Sequence, residues 1–232
     1  MMAAAAASAE APLTLTATTT GAAESVTIAR MTLRVASRID WGDGTYTEMT
    51  ANDEAPKLHT YAVAGTYRVA VFRVGDVTQV QLDSAKIGGL NTQQLRRSPI
   101  VYFSVTAITG SAIDSADMVG WTPTYWRLYS MPAAGSSYTF GAAIMRNWTS
   151  AASIACQDLA LLVGVVDAIL LDIYTGRAGY TNAAPVLNVG GSNAAPSGVY
   201  QDAAPPTTGL EYKYKLVVDP DAEGFNKWAI TS

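Results

Sequence analysis

The chain has 232 residues, enough for one large domain or two small ones, and its formal net charge is -4. This acidic balance gives no electrostatic reason to approach polyanions, so we expect neither nucleic acid nor an anionic membrane as a partner. Charged residues make up 15% of the chain, against about a quarter in typical domains, which favours an all-β or repeat protein whose flanks are covered by neighbours.

The chain offers few residues for metal or redox chemistry. Cys156 is the single cysteine, so an internal disulfide is excluded, and its apolar surroundings predict a small buried hydrophobic residue. One histidine and one cysteine do not make a zinc site, so we expect no metal and no cofactor. The densest apolar run, residues 159–173, contains Asp167 and Asp172, so no membrane span is predicted.

The N-terminal third has a β pattern. Residues 1–11 are alanine-rich and lack a basic start, which indicates a flexible arm and not a secretory signal. From residue 12 to residue 75, short alternating runs separated by turn signals predict an antiparallel β-sandwich. Asp43-Gly44 suits the positive φ angles of a tight hairpin, and residues 65–67 predict a second hairpin that leads into the last strand.

Two motifs mark this region, an apolar-Asp-Trp-Gly-Asp-Gly turn and a His-Thr-Tyr that is followed by Gly-Thr-Tyr. Together they resemble the motifs of the polycystic-kidney-disease (PKD) β-sandwich. Carboxylates of this kind can accept turn amide hydrogens, and the rings can fill a thin core; calcium binding by the two aspartates is the alternative. The motif residues are Asp40, Trp41, Gly42, Asp43, Gly44, His59, Tyr61, Gly65 and Tyr67.

A repeat follows residue 75. Apolar residues fall at offsets -2, 0 and +5 with a glycine at +7, and the copies are 21 and 25 residues apart. A degenerate fourth copy begins near Ala152. The copies are Val80, Leu82, Ile87 and Gly89; Val101, Phe103, Ile108 and Gly110; and Trp126, Leu128, Ala133 and Gly135.

This rhythm resembles a leucine-rich repeat, in which a short strand points two apolar residues inward and each coil buries its apolar row by stacking on its neighbours. Residues 76–161 are therefore expected to form leucine-rich-repeat-like coils. The asparagine that usually follows the strand is replaced by Ala85, Thr106 and Met131, so the backbone there needs other hydrogen-bond partners.

Residues 162–232 predict an α/β cap over the last coil. Apolar residues from Leu162 to Ile173 recur at three- and four-residue spacing and predict one helix. Thr208 and Glu211 form a capping-box pattern for a second helix that Pro220 stops. Residues 185–189 and 228–230 predict two more strands. The expected fold class is thus mainly β with minor α.

Three segments of the cap, residues 166–174, 191–198 and 219–228, resemble the closing segment of leucine-rich-repeat proteins encoded in tailed-phage genomes. The resemblance implies a virion protein, either a capsid decoration or part of a tail or fibre, made in the cytoplasm of the bacterial host. It implies other virion proteins and further copies of the chain as partners.

Residues 98–157 hold four charged residues beside nine aromatic ones. Such rings can be core fillers, protein-interface residues, or stacking platforms for a host-surface glycan. We name Trp121, Tyr125, Tyr129 and Trp148 as candidates for an interface or glycan contact.

No catalytic residues are predicted. No pair of titratable groups stands out, His59 belongs to the sandwich motif, and the chain has neither a Gly-x-Ser-x-Gly elbow nor a phosphate-binding loop. The sequence therefore predicts a non-enzymatic structural protein of a phage particle. The alternative is a carbohydrate-binding or host-adhesion module on a phage fibre or bacterial surface.

Overall fold

A computed structural model describes residues 11–131, 137–141, 143–218 and 225–232. Within them the chain is mainly β with two α-helices, and none of the described helices is long and apolar enough to cross a membrane. Sixteen strands are described. The first seven are β1 (Leu13–Thr19), β2 (Glu24–Ile28), β3 (Arg30–Leu33), β4 (Ser37–Asp40), β5 (Tyr46–Met49), β6 (Lys57–Tyr61) and β7 (Gly65–Val71).

The second part of the chain alternates strands with short 3-10 helices and ends in the two α-helices. Its strands are β8 (Val77–Leu82), β9 (Ile87–Gly88), β10 (Tyr102–Thr106), β11 (Ala112–Asp114), β12 (Tyr125–Tyr129), β13 (Ser137–Thr139), β14 (Ser153–Gln157), β15 (Val186–Asn188) and β16 (Ala229–Thr231). The helices are α1 (Val163–Gly176) and α2 (Gly209–Val217).

The first part forms antiparallel sheets, as the alternating runs predict. One sheet has the order β5-β4-β7-β1-β9, and β2 pairs with β6 in a separate ladder. Along β1 the inward residues Leu13, Leu15 and Ala17 are fully buried because side chains alternate between the two faces of a strand.

The hairpin predicted at Asp43-Gly44 is confirmed, since β4 and β5 pair on either side of it. The second predicted hairpin is wrong. β6 pairs with β2, whereas β7 pairs with β1 and β4, so the chain crosses from one sheet to the other between residues 61 and 65. Ring packing of Tyr61 on Tyr67 joins these two strands where backbone pairing was expected.

The second part builds a long sheet from consecutive parallel strands, β8-β10-β12-β14-β15-β16, which β3 extends in the antiparallel sense. Inward side chains of successive strands align in rows and share one buried interior. The first row is Val80, Phe103, Trp126, Ile154, Leu187 and Ile230, and the second is Leu82, Val105, Leu128 and Cys156.

These rows correct the predicted repeat alignment. Val80 pairs with Phe103 and Leu82 with Val105, so the second strand lies two residues later than expected. Val101 precedes β10 and is 37% exposed, so its assignment to the core is wrong. The loop explains the error: Ile87 follows Leu82 by five residues, but Ile108 follows Val105 by only three.

The repeat length is therefore 23 residues between the first strands, while Ile87 and Ile108 still match at 21. The short 3-10 helices Thr92–Leu95 and Ser115–Met118 keep the spacing of 23, and each is capped by the side chain just before it. Ala133 and Gly135 lie outside the described residues. Met131, three residues after Leu128, is buried where Ile108 lies in the coil before it.

The residues on either side of position 75 share both sheets. β9 pairs with β1, and β3 pairs with β8. Lys86 reaches back to the first part, where its Nζ lies 2.7 Å from the Glu24 carboxylate. One continuous apolar core thus runs from the antiparallel sheets into the parallel one.

Both predicted C-terminal helices and both predicted strands are present. α1 packs against α2. In the capping box of α2, the Glu211 carboxylate accepts hydrogen bonds from the backbone amides of Thr207 and Thr208 at 2.8 and 3.1 Å. Hydrogen bonds, first from Gln201 and then from Thr207, lower the pKa of Glu211 to about 2. Pro220 lies outside the described residues.

Candidate functional site

The Asp-Trp-Gly-Asp-Gly turn uses its own carboxylates. Asp40 Oδ1 accepts the Gly42 amide at 2.9 Å, and Asp43 Oδ1 accepts the amide and the hydroxyl of Thr45 at 3.0 and 2.6 Å. Asp43 Oδ2 lies 2.8 Å from His59 Nε2. Burial opposes ionisation of Asp43, but the hydrogen bonds from Thr45 and His59 outweigh it and lower the pKa of that carboxyl.

The aromatic residues of the two motifs form one stack. His59 stacks on Trp41 at 4.9 Å and meets Tyr61 edge-on at 4.5 Å, and Tyr61 stacks on Tyr67 at 4.0 Å. The Tyr61 hydroxyl donates to the Trp41 carbonyl at 2.9 Å, and Trp41 Nε1 donates to the Thr47 hydroxyl at 2.8 Å. These contacts join β4, β6 and β7, so they place the motif residues in structural roles.

Two glycines of the motifs have a packing reason. Gly42 has φ +80°, and a Cβ there would lie 2.4 Å from the Arg68 carbonyl oxygen. A Cβ at Gly65 would lie 3.2 Å from the Tyr67 ring. Among the described residues, Asp40 and Asp43 belong to no group of three or more ligands that could hold a metal ion.

The tryptophans named as contact residues lie in the interior. Trp121 and Trp148 are 2% and 1% exposed, so their assignment to an interface or glycan contact is wrong. Trp126 lies in the same interior, with ring centroids 5.3 Å from Trp148 and 6.3 Å from Phe103. Wide coils need large rings to fill their centre, which is the core-filler alternative.

Tyr125 and Tyr129 point to the opposite face because they alternate with Trp126 and Leu128 along β12. Tyr125 is 37% exposed. Sequence reasoning missed their neighbours on this outer face, Tyr102 and Arg127. A period-two pattern was available as a signal, since Tyr125, Arg127 and Tyr129 are separated by one inward residue each.

A continuous strip of four residues, which we call the outer strip, crosses this face: Arg30, Tyr102, Tyr125 and Arg127. The Arg30 guanidinium lies 5.0 Å from the Tyr102 ring, and the Arg127 guanidinium lies 4.9 Å from the Tyr125 ring. The two rings are 5.8 Å apart and tilted by 50°. Arg30 extends from β3 across β8 to reach β10.

Polar side chains hold both arginines. Arg30 Nη1 donates to Gln79 Oε1 at 2.9 Å, and Arg127 Nε donates to the Ser153 hydroxyl at 3.2 Å. Gln79 also donates through Nε2 to the Glu54 carboxylate at 2.5 Å. The outward positions of β10, β12, β14, β15 and β16 carry no carboxylate, and Arg127 is their single charged residue.

Polar residues at the junction with the cap serve the backbone. Asn193 Oδ1 accepts the amides of Leu159 and Leu161 at 3.1 and 3.0 Å, and its Nδ2 donates to the carbonyls of Cys156 and Val189. An asparagine from a later loop thus satisfies backbone groups that follow β14. Cys156 is fully buried, and this burial raises the pKa of its thiol.

Comparisons with protein-family models, with curated proteins and with solved structures found no match for this chain.

Proposed function

We propose that this chain is a non-enzymatic structural protein of a bacteriophage particle that acts through protein–protein interfaces, as a capsid decoration or a tail- or fibre-associated protein. The observation that carries this proposal is the outer strip. Tyrosine and arginine are enriched in protein interfaces and most other charged residues are depleted, and the outer face of the parallel sheet has this composition.

In this proposal residues 12–75 are a PKD-like β-sandwich and residues 76–161 are leucine-rich-repeat-like coils closed by the cap at 162–232. Consecutive parallel strands with aligned apolar rows support the coils. The joined turn, histidine and tyrosine stack supports the sandwich.

The phage assignment draws on the closing segments. Asp172 in the first of them accepts the amides of Ala143 and Met145, and Asn193 in the second binds the loop after β14. Asp167 accepts the Ser197 amide at 2.9 Å and so links the first segment to the second. These residues tie the cap to the last coils, which is the work expected of a closing segment.

The outer face favours a protein partner over a glycan. Each of the two rings has a guanidinium over one face, so a pyranose would have to displace that group or use the other face. The tryptophans, which would be the stronger stacking platforms, are buried.

Mass spectrometry of particles purified from the host that encodes the chain tests the proposal. We expect the chain in stoichiometric amount relative to the major capsid protein, and we expect Tyr125→Ala to lower its incorporation. Tyr46→Ala is the matched control, because Tyr46 is an exposed tyrosine of the antiparallel sheet that also lies near an arginine. Absence from purified particles, together with specific binding on a glycan array, would replace the proposal by the adhesion role.

A further inference from the structure

We propose that the outer strip binds an extended, carboxylate-bearing peptide segment of a partner protein, with Arg127 as the main anchor and Arg30 as the second. This inference rests on the proposed function and names the chemistry of the partner at that surface. It starts from the difference between these two arginines and the other described basic residues.

Most basic residues that are fixed by contacts have a carboxylate of this same chain beside them. Lys57, Lys86, Arg146 and Lys215 each have a carboxylate oxygen within 3.1 Å. Arg127 is fixed by Tyr125 and Ser153, but none of the described carboxylates lies within ion-pair distance of it. Its terminal amino groups are left without an acceptor among the described residues.

Arg30 differs in its surroundings. Its guanidinium binds Gln79, and the same amide group binds Glu54, so Glu54 influences Arg30 through Gln79 and not through a direct ion pair. Part of the charge of Arg30 is therefore compensated within the chain. For this reason Arg127 is expected to contribute more to the binding of an anion.

A carboxylate is the ligand that matches this arrangement. The planar guanidinium presents parallel N–H donors that carboxylates accept in pairs, and a guanidinium already held on an aromatic ring loses little freedom on binding. The two tyrosine rings between the arginines offer flat apolar area to the intervening side chains. Four residues in a row across neighbouring strands fit an extended segment that carries acidic side chains at intervals.

Nucleic acid fits this surface less well. The chain has a net charge of -4, and the outward positions from β10 to β16 contribute one positive charge, too few to neutralise a phosphate backbone. An acidic sugar could supply a carboxylate, but its ring would compete with the guanidinium groups for the tyrosine faces.

Fluorescence anisotropy with the full chain tests the proposal. The probe is a fluorescein-labelled eight-residue peptide of alternating Glu and Thr, and the comparison peptide has Gln in place of every Glu. We expect binding of the Glu peptide alone, weakened by added salt. Arg127→Gln should weaken it at least about tenfold, since hydrogen bonds to charged groups contribute about 1.5–3 kcal/mol each. Arg30→Gln should have a smaller effect.

Arg38→Gln is the matched control. Arg38 also lies over aromatic rings, those of Tyr46 and Phe72, but on the antiparallel sheet, so its loss changes the net charge equally. Unchanged unfolding midpoints of all variants would show that the fold is intact, and Arg127→Lys provides a charge-preserving second variant that should still weaken binding. Equal loss of binding in Arg38→Gln and Arg127→Gln would overturn the proposal, because it would show a general charge effect.

Two further results would also overturn it: equal binding of the Glu and Gln peptides, or Arg127-dependent binding of an oligogalacturonate with no binding of the Glu peptide. Failure of the virion role is seen separately. Arg127-dependent peptide binding by a chain that is absent from purified particles would contradict only the virion role. Recovery in particles without any peptide binding would contradict only this inference.

Discussion

Replacing Asp172 by asparagine tests how the cap is attached to the last coil. Asp172 lies in α1 with 3% of its side chain exposed, and it accepts four hydrogen bonds. Oδ1 accepts the Ala143 amide at 2.8 Å and Arg146 Nε at 2.6 Å, while Oδ2 accepts the amides of Met145 and Arg146 at 2.7 and 3.2 Å. All four donors come from the segment that precedes β14.

The size of the effect follows from these bonds. The asparagine oxygen can replace one carboxylate oxygen, but the NH2 group then faces two N–H donors and cannot accept from them. Two hydrogen bonds are lost, one of them charged, and buried donors are left without partners. We expect Asp172→Asn to lower the free energy of unfolding by about 3–5 kcal/mol.

Urea unfolding followed by tryptophan fluorescence and by far-UV circular dichroism measures this loss. Asp202→Asn is the control, because it removes an ion pair between Lys215 and a carboxylate that is 57% exposed, and it should cost about 1 kcal/mol or less. A loss below about 1 kcal/mol for Asp172→Asn would refute the reasoning.

Four other predictions follow from single positions. Phe103→Ala should cost about 3–5 kcal/mol and Val101→Ala under about 1 kcal/mol in the same urea assay; similar costs would contradict the register of β10. Gly42→Ala should cost at least about 2 kcal/mol, because a Cβ there meets the Arg68 carbonyl, whereas Gly44→Ala, with open space around it, should cost less. The Cys156 thiol should react with a disulfide reagent only after unfolding, since burial raises its pKa; rapid reaction of the folded chain would show that it is accessible. Hydrogen bonds, first from Lys86, lower the pKa of Glu24 from 4.5 to about 2, so its stabilisation is full above pH 4.5 and is lost as the pH falls towards 2. Glu24→Gln should therefore flatten the fall of the unfolding midpoint in that pH window, and an unchanged slope would contradict the Lys86 contact.

Local patterns predicted the features that depend on near neighbours in the chain. The turn at Asp43-Gly44, the amphipathic run that forms α1 and the capping box at the start of α2 each lie within a few residues, and all three are present. The inward places of Val80, Leu82 and Phe103 were also predicted, because strand periodicity separates the two faces of each strand.

The lateral arrangement could not be predicted this way. Which residue of β10 lies beside Val80 depends on the loops between strands, and a loop two residues shorter after β10 moved the strand alignment while leaving Ile87 and Ile108 in step. The pairing of β3 with β8 and of β9 with β1 is likewise a long-range contact across residue 75.

The sequence by itself determined the local elements and the apolar rows, because helix and strand periods, turn residues and caps act over a few positions. Only the tertiary structure decided that Trp121 and Trp148 point inward and that Arg30, Tyr102, Tyr125 and Arg127 meet on one face. The reason is geometric: alternation shows that a strand has two faces, but which face is covered and which side chains meet across strands depend on register and packing.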